Sequence, residues 1–474
     1  MDRGSFLGDS ALLACGAAVA CIPVRAALRL PGADVPMVAG DCGNQTHSKL
    51  ARSTRENARR RRMTHPLARG RRRVMRLVLI ALAWAPAARV PTADAQVTAD
   101  IDSVRISLSG QLDVDTRIVR GPLPGRSGML LRRAEITLDA TAPGGWTLRL
   151  HPDFSQGRAQ LLDAYVTWGR DAWSVRVGRQ KVAYGVEYPL APATLLFPEY
   201  GVVNSLVIGR QFGVQVSAAT PRGSLTIGGY EPAALREALI DVEHDPEGPP
   251  QLGPHGVARA TWRPLPVPTD GAAPPLELQV AGAYGRYRTT DPSLPGLPRY
   301  LTPAQRPALA FRVGAADDPA STALSDGARF GGSVGAQLVA GGLHLIVEGA
   351  EMTQHVRLGS AVALDRERLS HAAWQARAGW LVGGRRTAAF EVLPRGRGGA
   401  WEFGARVGGV RFDRDAARFA SPSAAARAMT SGGVALAWVP RRQTRLSTSM
   451  DVTRLTGPTE GTERAMIIRV MQAF

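Results

Sequence analysis

The last ten residues of the chain, Ala465–Phe474 with the sequence AMIIRVMQAF, decide the fold. Every second residue before the terminal phenylalanine is apolar except the first, in the order Gln472, Val470, Ile468 and Met466. The opposite parity carries Arg469. A membrane-spanning strand needs one face for lipid and one for a polar lumen, and this alternation provides both. The segment therefore predicts a transmembrane β-strand with the aromatic carboxyl terminus that is typical of bacterial outer-membrane barrels.

The same alternation recurs upstream. Apolar residues alternate with polar or charged ones in residues 104–115, 146–151, 173–177, 374–380 and 401–407. Tryptophans cluster near the ends of these segments, as in the aromatic girdle of a membrane barrel. After residue 95 no apolar run approaches the roughly 18 residues that a transmembrane helix needs. Only helices and closed barrels satisfy all backbone groups in lipid, so this pattern indicates a barrel.

Short Gly/Pro turns alternate with longer polar loops between the segments, which is the connection pattern of bacterial barrels. We predict strands at residues 102–117, 128–140, 145–154, 159–168, 172–180, 207–219, 223–230, 256–264, 276–288, 328–340, 342–356, 370–382, 400–413, 429–439, 443–455 and 463–474. Residues 385–394 could form a further strand. The sequence thus predicts an all-β protein, a transmembrane antiparallel β-barrel of about 16 strands.

The N-terminal region reads as an export signal. A basic run precedes the apolar segment 77–88, and Ala93-Asp94-Ala95 provides a small-x-small cleavage site. We predict a signal peptide at residues 75–95 and a barrel domain at 96–474. A short core helix is the alternative, which the arginine-rich flank and the helix-breaking Pro86 disfavour.

Residues 1–74 precede this signal and are rich in arginine. We expect them to be either sequence upstream of the true start or a disordered basic leader. All three cysteines, Cys15, Cys21 and Cys42, lie in this part of the chain. The exported part is therefore predicted to be free of cysteine, which excludes a disulfide framework and a thiolate metal site there.

The formal charge of +18 is concentrated at the N-terminus. Residues 1–95 carry 16 basic and 6 acidic residues, which leaves 42 basic and 34 acidic residues for the rest. The densest basic tract thus lies in the predicted leader and not in a folded module, so we expect no nucleic-acid partner. After residue 49 the only lysine is Lys181, so an arginine-biased lumen would attract anions at any pH.

Four long connections stand out, at residues 181–206, 231–255, 289–327 and 414–428. The first is aromatic and contains several prolines, which is too apolar for a loop that extends into water. We predict that it folds inward and narrows the pore as a constriction loop, with Tyr184, Glu187, Phe197 and Glu199 as its key residues. The two glutamates could repel anions, or they could tie the loop to wall arginines as buried charges usually require.

Five stretches carry a resemblance to a known family: LLRRAEITL at 130–138, WTLRLHPDF at 146–154, LLDAYV at 161–166, RVGRQKVAYGVE at 176–187 and GGAWEFGAR at 398–406. They resemble the phosphate-selective porin O/P family of outer-membrane channels. The fourth stretch is similar to the family pattern R-V-G-x-x-K-x-P-F-G-x-E, with Ala183 and Tyr184 at the Pro and Phe positions.

The resemblance implies a 16-stranded barrel in the bacterial outer membrane, usually a homotrimer, that passes small anions by diffusion without a cofactor. Its partners would be the lipid bilayer, small anions and, through Phe474, the barrel-assembly machinery. Some members prefer phosphate or polyphosphate through arginine ladders and lysine clusters. A lysine cluster is impossible here because Lys181 is the lone lysine of the predicted mature chain.

The predicted anion-binding residues follow from strand parity and position. Arg133, Arg149, Arg176, Arg179 and Lys181 lie on consecutive strands that lead into the constriction loop, and Arg105, Arg377 and Arg406 share the inward parity. Inward carboxylates nearly balance them, so cross-strand salt bridges are the structural alternative for each arginine. One β-bulge would reverse an assignment.

Two other functions remain open. A general, non-selective diffusion porin would have the same fold. A barrel enzyme such as a membrane esterase would need a serine, a histidine and an acid at one rim, and no motif selects them. His344 and Glu348 share a strand face but have no third ligand, so we predict neither a metal site nor enzymatic activity.

Overall fold

The computed structural model describes residues 97–125, 127–155, 157, 159–231, 255–289, 296–314, 318–359 and 366–474. The predicted leader at 1–74, the predicted signal peptide at 75–95 and most of the 231–255 connection lie outside this part of the chain. The strands are β1 Val97–Ile101, β2 Val104–Arg120, β3 Gly128–Ala142, β4 Trp146–Asp153, β5 Gln160–Arg170, β6 Trp173–Lys181, β7 Arg210–Thr220, β8 Gly223–Glu231, β9 His255–Trp262, β10 Leu276–Arg288, β11 Arg299–Leu301, β12 Pro307–Phe311, β13 Ala323–Ala340, β14 Leu343–Leu358, β15 Arg366–Val382, β16 Gly384–Arg386, β17 Val392–Pro394, β18 Ala400–Arg411, β19 Ala420–Ala425, β20 Ala428–Arg441, β21 Thr444–Thr456 and β22 Gly461–Ala473.

Sixteen of these strands form one closed barrel in the described ranges. Each pairs antiparallel with the next along the chain, from β2 to β10 and then through β13, β14, β15, β18, β20, β21 and β22. The last strand pairs with β2, from Gln111↔Ala473 to Arg120↔Arg464, and this closes the sheet. The short strand β1 pairs only with the beginning of β2.

The predicted strands agree with the barrel strands to within a few residues, because the alternation that lipid requires marks each one. Residues 385–394 do not add a wall strand; β16 and β17 pair with each other in a small separate sheet. Two connections predicted to be polar loops are structured. In the 289–327 connection β11 pairs with β12, and β12 pairs in turn with β19, which follows the short helix α1 at Ala416–Phe419.

Burial follows the predicted parity. In β22, Val470 is 44% exposed on the outer face whereas Arg469 is 4% exposed on the inner face. Seven of the eight tryptophans in the described ranges lie within three residues of a strand end at one rim, namely Trp146, Trp168, Trp173, Trp262, Trp380, Trp401 and Trp438. We call this end, with connections such as 171–172 and 341–342, the short-turn rim. The opposite end is the long-loop rim.

The lumen near the long-loop rim is packed with protein. Residues of the loop between β6 and β7, of β11 and β12, and of α1 form one apolar cluster with inward side chains such as Met352, Leu369 and Val410. Near the long-loop rim, the inner face of these strands therefore packs against apolar side chains of the connections. Strict alternation, with apolar residues outside and polar residues inside, does not predict this. No helix in the described part of the chain has the length and apolar character that crossing a membrane requires.

Candidate functional site

The loop at residues 182–209 lies inside the barrel. Tyr184 and Phe197 are fully buried, as their aromatic character predicts. Gly185 has a φ of +75°, and a Cβ atom there would lie 2.7 Å from Oε1 of Glu348 on β14. Glycine therefore permits both the turn and the close approach of the loop to the wall.

Glu199 is the main anchor of the loop. Its Oε1 accepts hydrogen bonds from Arg117 Nη2 at 2.5 Å, Arg132 Nε at 2.7 Å and Arg469 Nη2 at 2.9 Å. These arginines come from β2, β3 and β22, so the loop is tied across the point where the barrel closes. Burial disfavours the charged carboxylate, but Arg132, Arg117 and Arg469 hold the pKa of Glu199 well below its ordinary value of 4.5.

Glu187 forms a second anchor, on β15 of the wall. Its Oε1 accepts a hydrogen bond from Arg377 Nη1 at 2.6 Å, and its Oε2 accepts one from Gln375 Nε2 at 2.9 Å. The backbone N–H of Val186 donates to Glu348 Oε1 at 2.7 Å. Both loop glutamates are thus paired with wall arginines, which is the second of the two roles considered from the sequence.

Arginines of the C-terminal strands also hold the loop backbone. Arg406 forms a bidentate pair with Asp451 at 2.8 and 3.0 Å, and its Nη1 donates to the carbonyl of Glu199 at 2.8 Å. Its guanidinium lies 4.2 Å from the ring centroid of Phe197. Arg445 donates to the carbonyl of Leu195 at 3.0 Å. These contacts use the planar fork of arginine for several acceptors at once.

A β-bulge places two consecutive arginines inside the barrel. The register between β2 and β3 shifts after Asp113, which faces Arg133, so that Val114 faces Leu131. Arg132 and Arg133 are consequently both buried inside. Arg133 donates to Asp113 at 2.8 Å, while Arg132 binds Glu199. Strict alternation misses Arg132, and no sequence signal other than the Arg-Arg pair itself indicates the bulge.

Three predicted lining residues lie elsewhere. Arg179 shares the register of the outward-facing Val177 but is buried; its Nε donates to the carbonyl of Leu162 at 3.1 Å, and its guanidinium lies 6.0 Å from the ring centroid of Phe212. Lys181 Nζ donates to the carbonyl of Tyr188 at 3.2 Å and therefore supports the loop. Arg105 is exposed beside β1, where it pairs with Asp100 at 3.0 Å. The structure does not place these three in the lumen wall below the loop.

Arg149 and Arg176 do face the lumen together. Both guanidiniums lie against the ring of Tyr165, at 6.0 and 4.3 Å from its centroid. Arg149 is 39% exposed and pairs with Asp139 at 2.7 Å. Arg176 donates Nε to the hydroxyl of Thr167 at 3.1 Å, and no carboxylate in the described ranges lies within 4.0 Å of its guanidinium. This part of the wall, near the short-turn rim, is partly exposed to solvent.

Other interior polar groups were not selected from the sequence. Arg210 on β7 forms a bidentate pair with Asp163 at 2.7 and 3.1 Å, and His151 lies between Asp163 and Glu135. Arg386 pairs with Glu402. Arg210 and Arg386 lie at strand ends, where side-chain direction no longer follows from parity. The part of the chain that the structure describes contains no group of three or more residues suited to hold a metal ion.

One solved structure supports the fold. The outer-membrane channel DcaP of Acinetobacter baumannii aligns with a TM-score of 0.51 at 12% identity, over 79% of this chain and 99% of that one. An anion-selective porin from Comamonas acidovorans aligns with a TM-score of 0.47 at 10% identity, over 78% and 100% of the two chains. No curated protein sequence matches the chain.

A family model places the sequence more specifically. Residues 104–433 match the model described as phosphate-selective porin O and P. The match runs from β2 into β20, so it includes the constriction loop, most of the closed wall and the anchoring residues Arg117, Arg132, Arg377 and Arg406. The protein is an outer-membrane channel, and the chain belongs to the phosphate-selective porin O and P family.

Proposed function

We propose that this channel passes small anions by passive diffusion, with Arg176 as the residue that favours anions and with Arg149, which pairs with Asp139, beside it. The support is the charge balance of the interior. Where the loop is anchored, Arg117, Arg132, Arg133 and Arg469 are matched by the carboxylates Asp113, Asp115, Glu135 and Glu199. That cluster is close to neutral and would bind an added anion only by losing an ion pair.

The wall near the short-turn rim differs. There Arg176 faces the lumen with a hydroxyl and an aromatic ring as its contacts in the described ranges, and the neighbouring Arg149 is partly exposed. A guanidinium that is not neutralised by a carboxylate attracts anions and repels cations passing it. This single feature carries the proposal. Phosphate and polyphosphate are included among the candidate anions because the arginine fork matches their oxygens.

Three further proposals concern the mature protein. The signal peptide would occupy residues 75–95, and the barrel domain would begin at residue 96. The channel would assemble as a homotrimer, with Phe474 engaged during insertion by the barrel-assembly machinery. Transport would involve neither a cofactor nor catalysis, since solutes are sorted by constriction size and lumen potential alone.

Reversal potentials in planar bilayers under a salt gradient test the proposal. We expect anion preference in the wild type and a reduced preference in the double variant Arg149→Ala, Arg176→Ala. A matched control is the double variant Arg395→Ala, Arg397→Ala, which removes two exposed arginines from the connection between β17 and β18 at the short-turn rim. Cation preference, absence of conductance, or equal effects in both variants would contradict the proposal. Equal selectivity without charge preference in all three proteins would favour the general diffusion porin.

A further inference from the structure

A second set of arginines lies on the outside of the barrel. They have the outward parity of their strands and lie near the long-loop rim, at Arg120, Arg286, Arg288, Arg357, Arg366, Arg368, Arg411, Arg454 and Arg464. All but Arg357 are exposed. Their strands, β10, β14, β15, β18, β21, β22 and β2, cover only part of the circumference. The outward positions at the same rim on β3 and β7 are apolar instead, with Met129 and Phe212.

These residues lie just beyond the apolar belt. Arg286 and Arg288 follow Tyr284 on the same outward face of β10, and Tyr284 is paired across strands with Phe330. Both aromatic residues are at least half exposed, as in the girdle at a membrane interface. Arg286 is two residues beyond Tyr284, so its backbone lies about 7 Å farther along the strand, which is within the layer of lipid headgroups.

The outward arginines differ in their partners from those inside. Arg120, Arg368, Arg411, Arg454 and Arg464 have no carboxylate within 4.0 Å in the ranges that the structure describes. Two pairs stand directly opposite one another across neighbouring strands, Arg120↔Arg464 and Arg357↔Arg366. Like charges in this position repel. An anion between the two guanidiniums would turn the repulsion into a bidentate contact.

One stretch of this surface is concave. A cleft of about 630 Å³ is lined by Arg286, Arg288 and Arg366, with His355 and Asp326 at its wall. Asp326 pairs with Arg288 at 2.9 Å and lies 3.6 Å from Arg366. One carboxylate thus serves several guanidiniums, and the cleft keeps a net positive charge.

We propose that this outward arginine band binds the phosphate groups of an outer-leaflet lipid whose headgroup carries at least two phosphates. The occupant follows from position and charge. The band continues the lipid-facing surface, lies at headgroup depth and contains the opposed pair Arg120 and Arg464, which has no carboxylate between its guanidiniums in the described ranges; the pair Arg357 and Arg366 shares Asp326. The proposal rests on the outer-membrane location of the channel and is independent of which solutes the lumen passes.

The test is lipid binding to the purified full-length channel in zwitterionic detergent. Bisphosphorylated lipid A is titrated, and native mass spectrometry counts the retained lipid. The test variant is Arg120→Gln, Arg368→Gln, Arg464→Gln, which breaks no ion pair in the described part of the chain. The control is Arg222→Gln, Arg395→Gln, Arg397→Gln, which removes three exposed arginines at the short-turn rim. Each arginine near an anionic surface contributes roughly fivefold to binding, so we expect a loss on the order of a hundredfold in the test variant.

The control variant should bind lipid A as tightly as the wild type does. Dephosphorylated lipid A should bind the wild type only weakly, with an affinity no higher than that of lipid A for the test variant. Equal losses in both variants, or full binding of dephosphorylated lipid A, would overturn the proposal. Competition by inorganic phosphate at equal concentration would identify free phosphate as the ligand and would also overturn the proposal.

If the triple variant does not fold, the single variant Arg464→Gln replaces the triple variant. In lipid-free detergent this variant should melt no lower than the wild type, because it removes a like-charge pair. Added lipid A should then stabilise it less than the wild type, and equal stabilisation would contradict the proposal.

Discussion

Replacing Arg176 by glutamine should reduce the anion preference of the channel. Glutamine can keep a hydrogen bond to the hydroxyl of Thr167, which Arg176 Nε contacts at 3.1 Å, but it removes the positive charge. The ring of Tyr165 remains in place to pack on the shorter side chain. The substitution therefore tests the charge with little change in packing.

The size of the effect follows from Coulomb's law. A monovalent anion about 6 Å from the guanidinium is stabilised by roughly 0.7 kcal/mol in water-like surroundings, and a cation is destabilised equally. The sum of roughly 1.4 kcal/mol corresponds to about tenfold in the ratio of local concentrations. At about 0.1 M salt the Debye length is about 10 Å, so screening reduces this value. We expect the anion-to-cation permeability ratio to fall by about twofold to tenfold.

The assay is the reversal potential of single channels in a potassium chloride gradient. Arg176→Lys keeps the charge and should retain most of the preference. Arg222→Gln, in the exposed turn between β7 and β8, is the matched control for a lost arginine and should leave the potential unchanged. An Arg176→Gln channel that conducts with wild-type selectivity would refute the argument that the charge of Arg176 raises the anion-to-cation permeability ratio.

Three further results are expected. Glu199→Gln leaves three buried arginines without their shared carboxylate, so it should lower the free energy of unfolding by about 3–5 kcal/mol. The variant should also give larger and noisier single-channel currents than the wild type. Currents of the variant that match those of the wild type would contradict the anchoring role. Because the folded-state pKa of Glu199 lies well below 4.5, its contribution to anchoring the loop is fully present above about pH 4.5 and is lost only as pH falls through the folded-state pKa. Conductance recorded between about pH 8 and pH 5 should therefore show no loop release, and release in that range would contradict the anchoring role. Gly185→Ala should destabilise the barrel by about 1–3 kcal/mol, because alanine is strained at positive φ and its Cβ would contact Glu348. The measurement is the temperature at which heat-modifiable gel migration is lost, which should fall. The control Gly332→Ala, at an outward position with open space around it, should leave that temperature unchanged.

The barrel itself could be predicted from the sequence because lipid imposes a simple rule on every strand. The parity that begins at Phe474 places Arg469 inside and Val470 outside, and burial in the structure agrees. The constriction loop could also be predicted from its aromatic residues. Strand parity and the aromatic character of the loop are properties of residues that are close together in the chain, so a single sequence is enough to predict them.

The partners inside the lumen could not be predicted in the same way. Glu199 binds Arg117, Arg132 and Arg469, which are 82, 67 and 270 residues away in the chain. Parity indicates which wall arginines face inward, but the path of the loop decides which of them it meets. The bulge beside Arg133 adds Arg132 to the interior, and the strand end at Lys181 turns that side chain toward the loop. Such local departures from regular geometry are decided by tertiary contacts.

The reliance on arginine connects the loop anchors to the selectivity of the channel. A buried carboxylate such as Glu199 needs several donors, and a guanidinium can give one fork to a carboxylate and another donor to a backbone carbonyl, as Arg406 does with Asp451 and Glu199. Lysine has a single ammonium group and cannot hold a carboxylate bidentately while it reaches a second partner. Most inward arginines are therefore used to hold the loop in place, so their number does not measure the attraction for anions. We therefore expect the anion preference to depend on an inward arginine that contacts neither the loop nor a carboxylate in the described ranges, and Arg176 is such a residue.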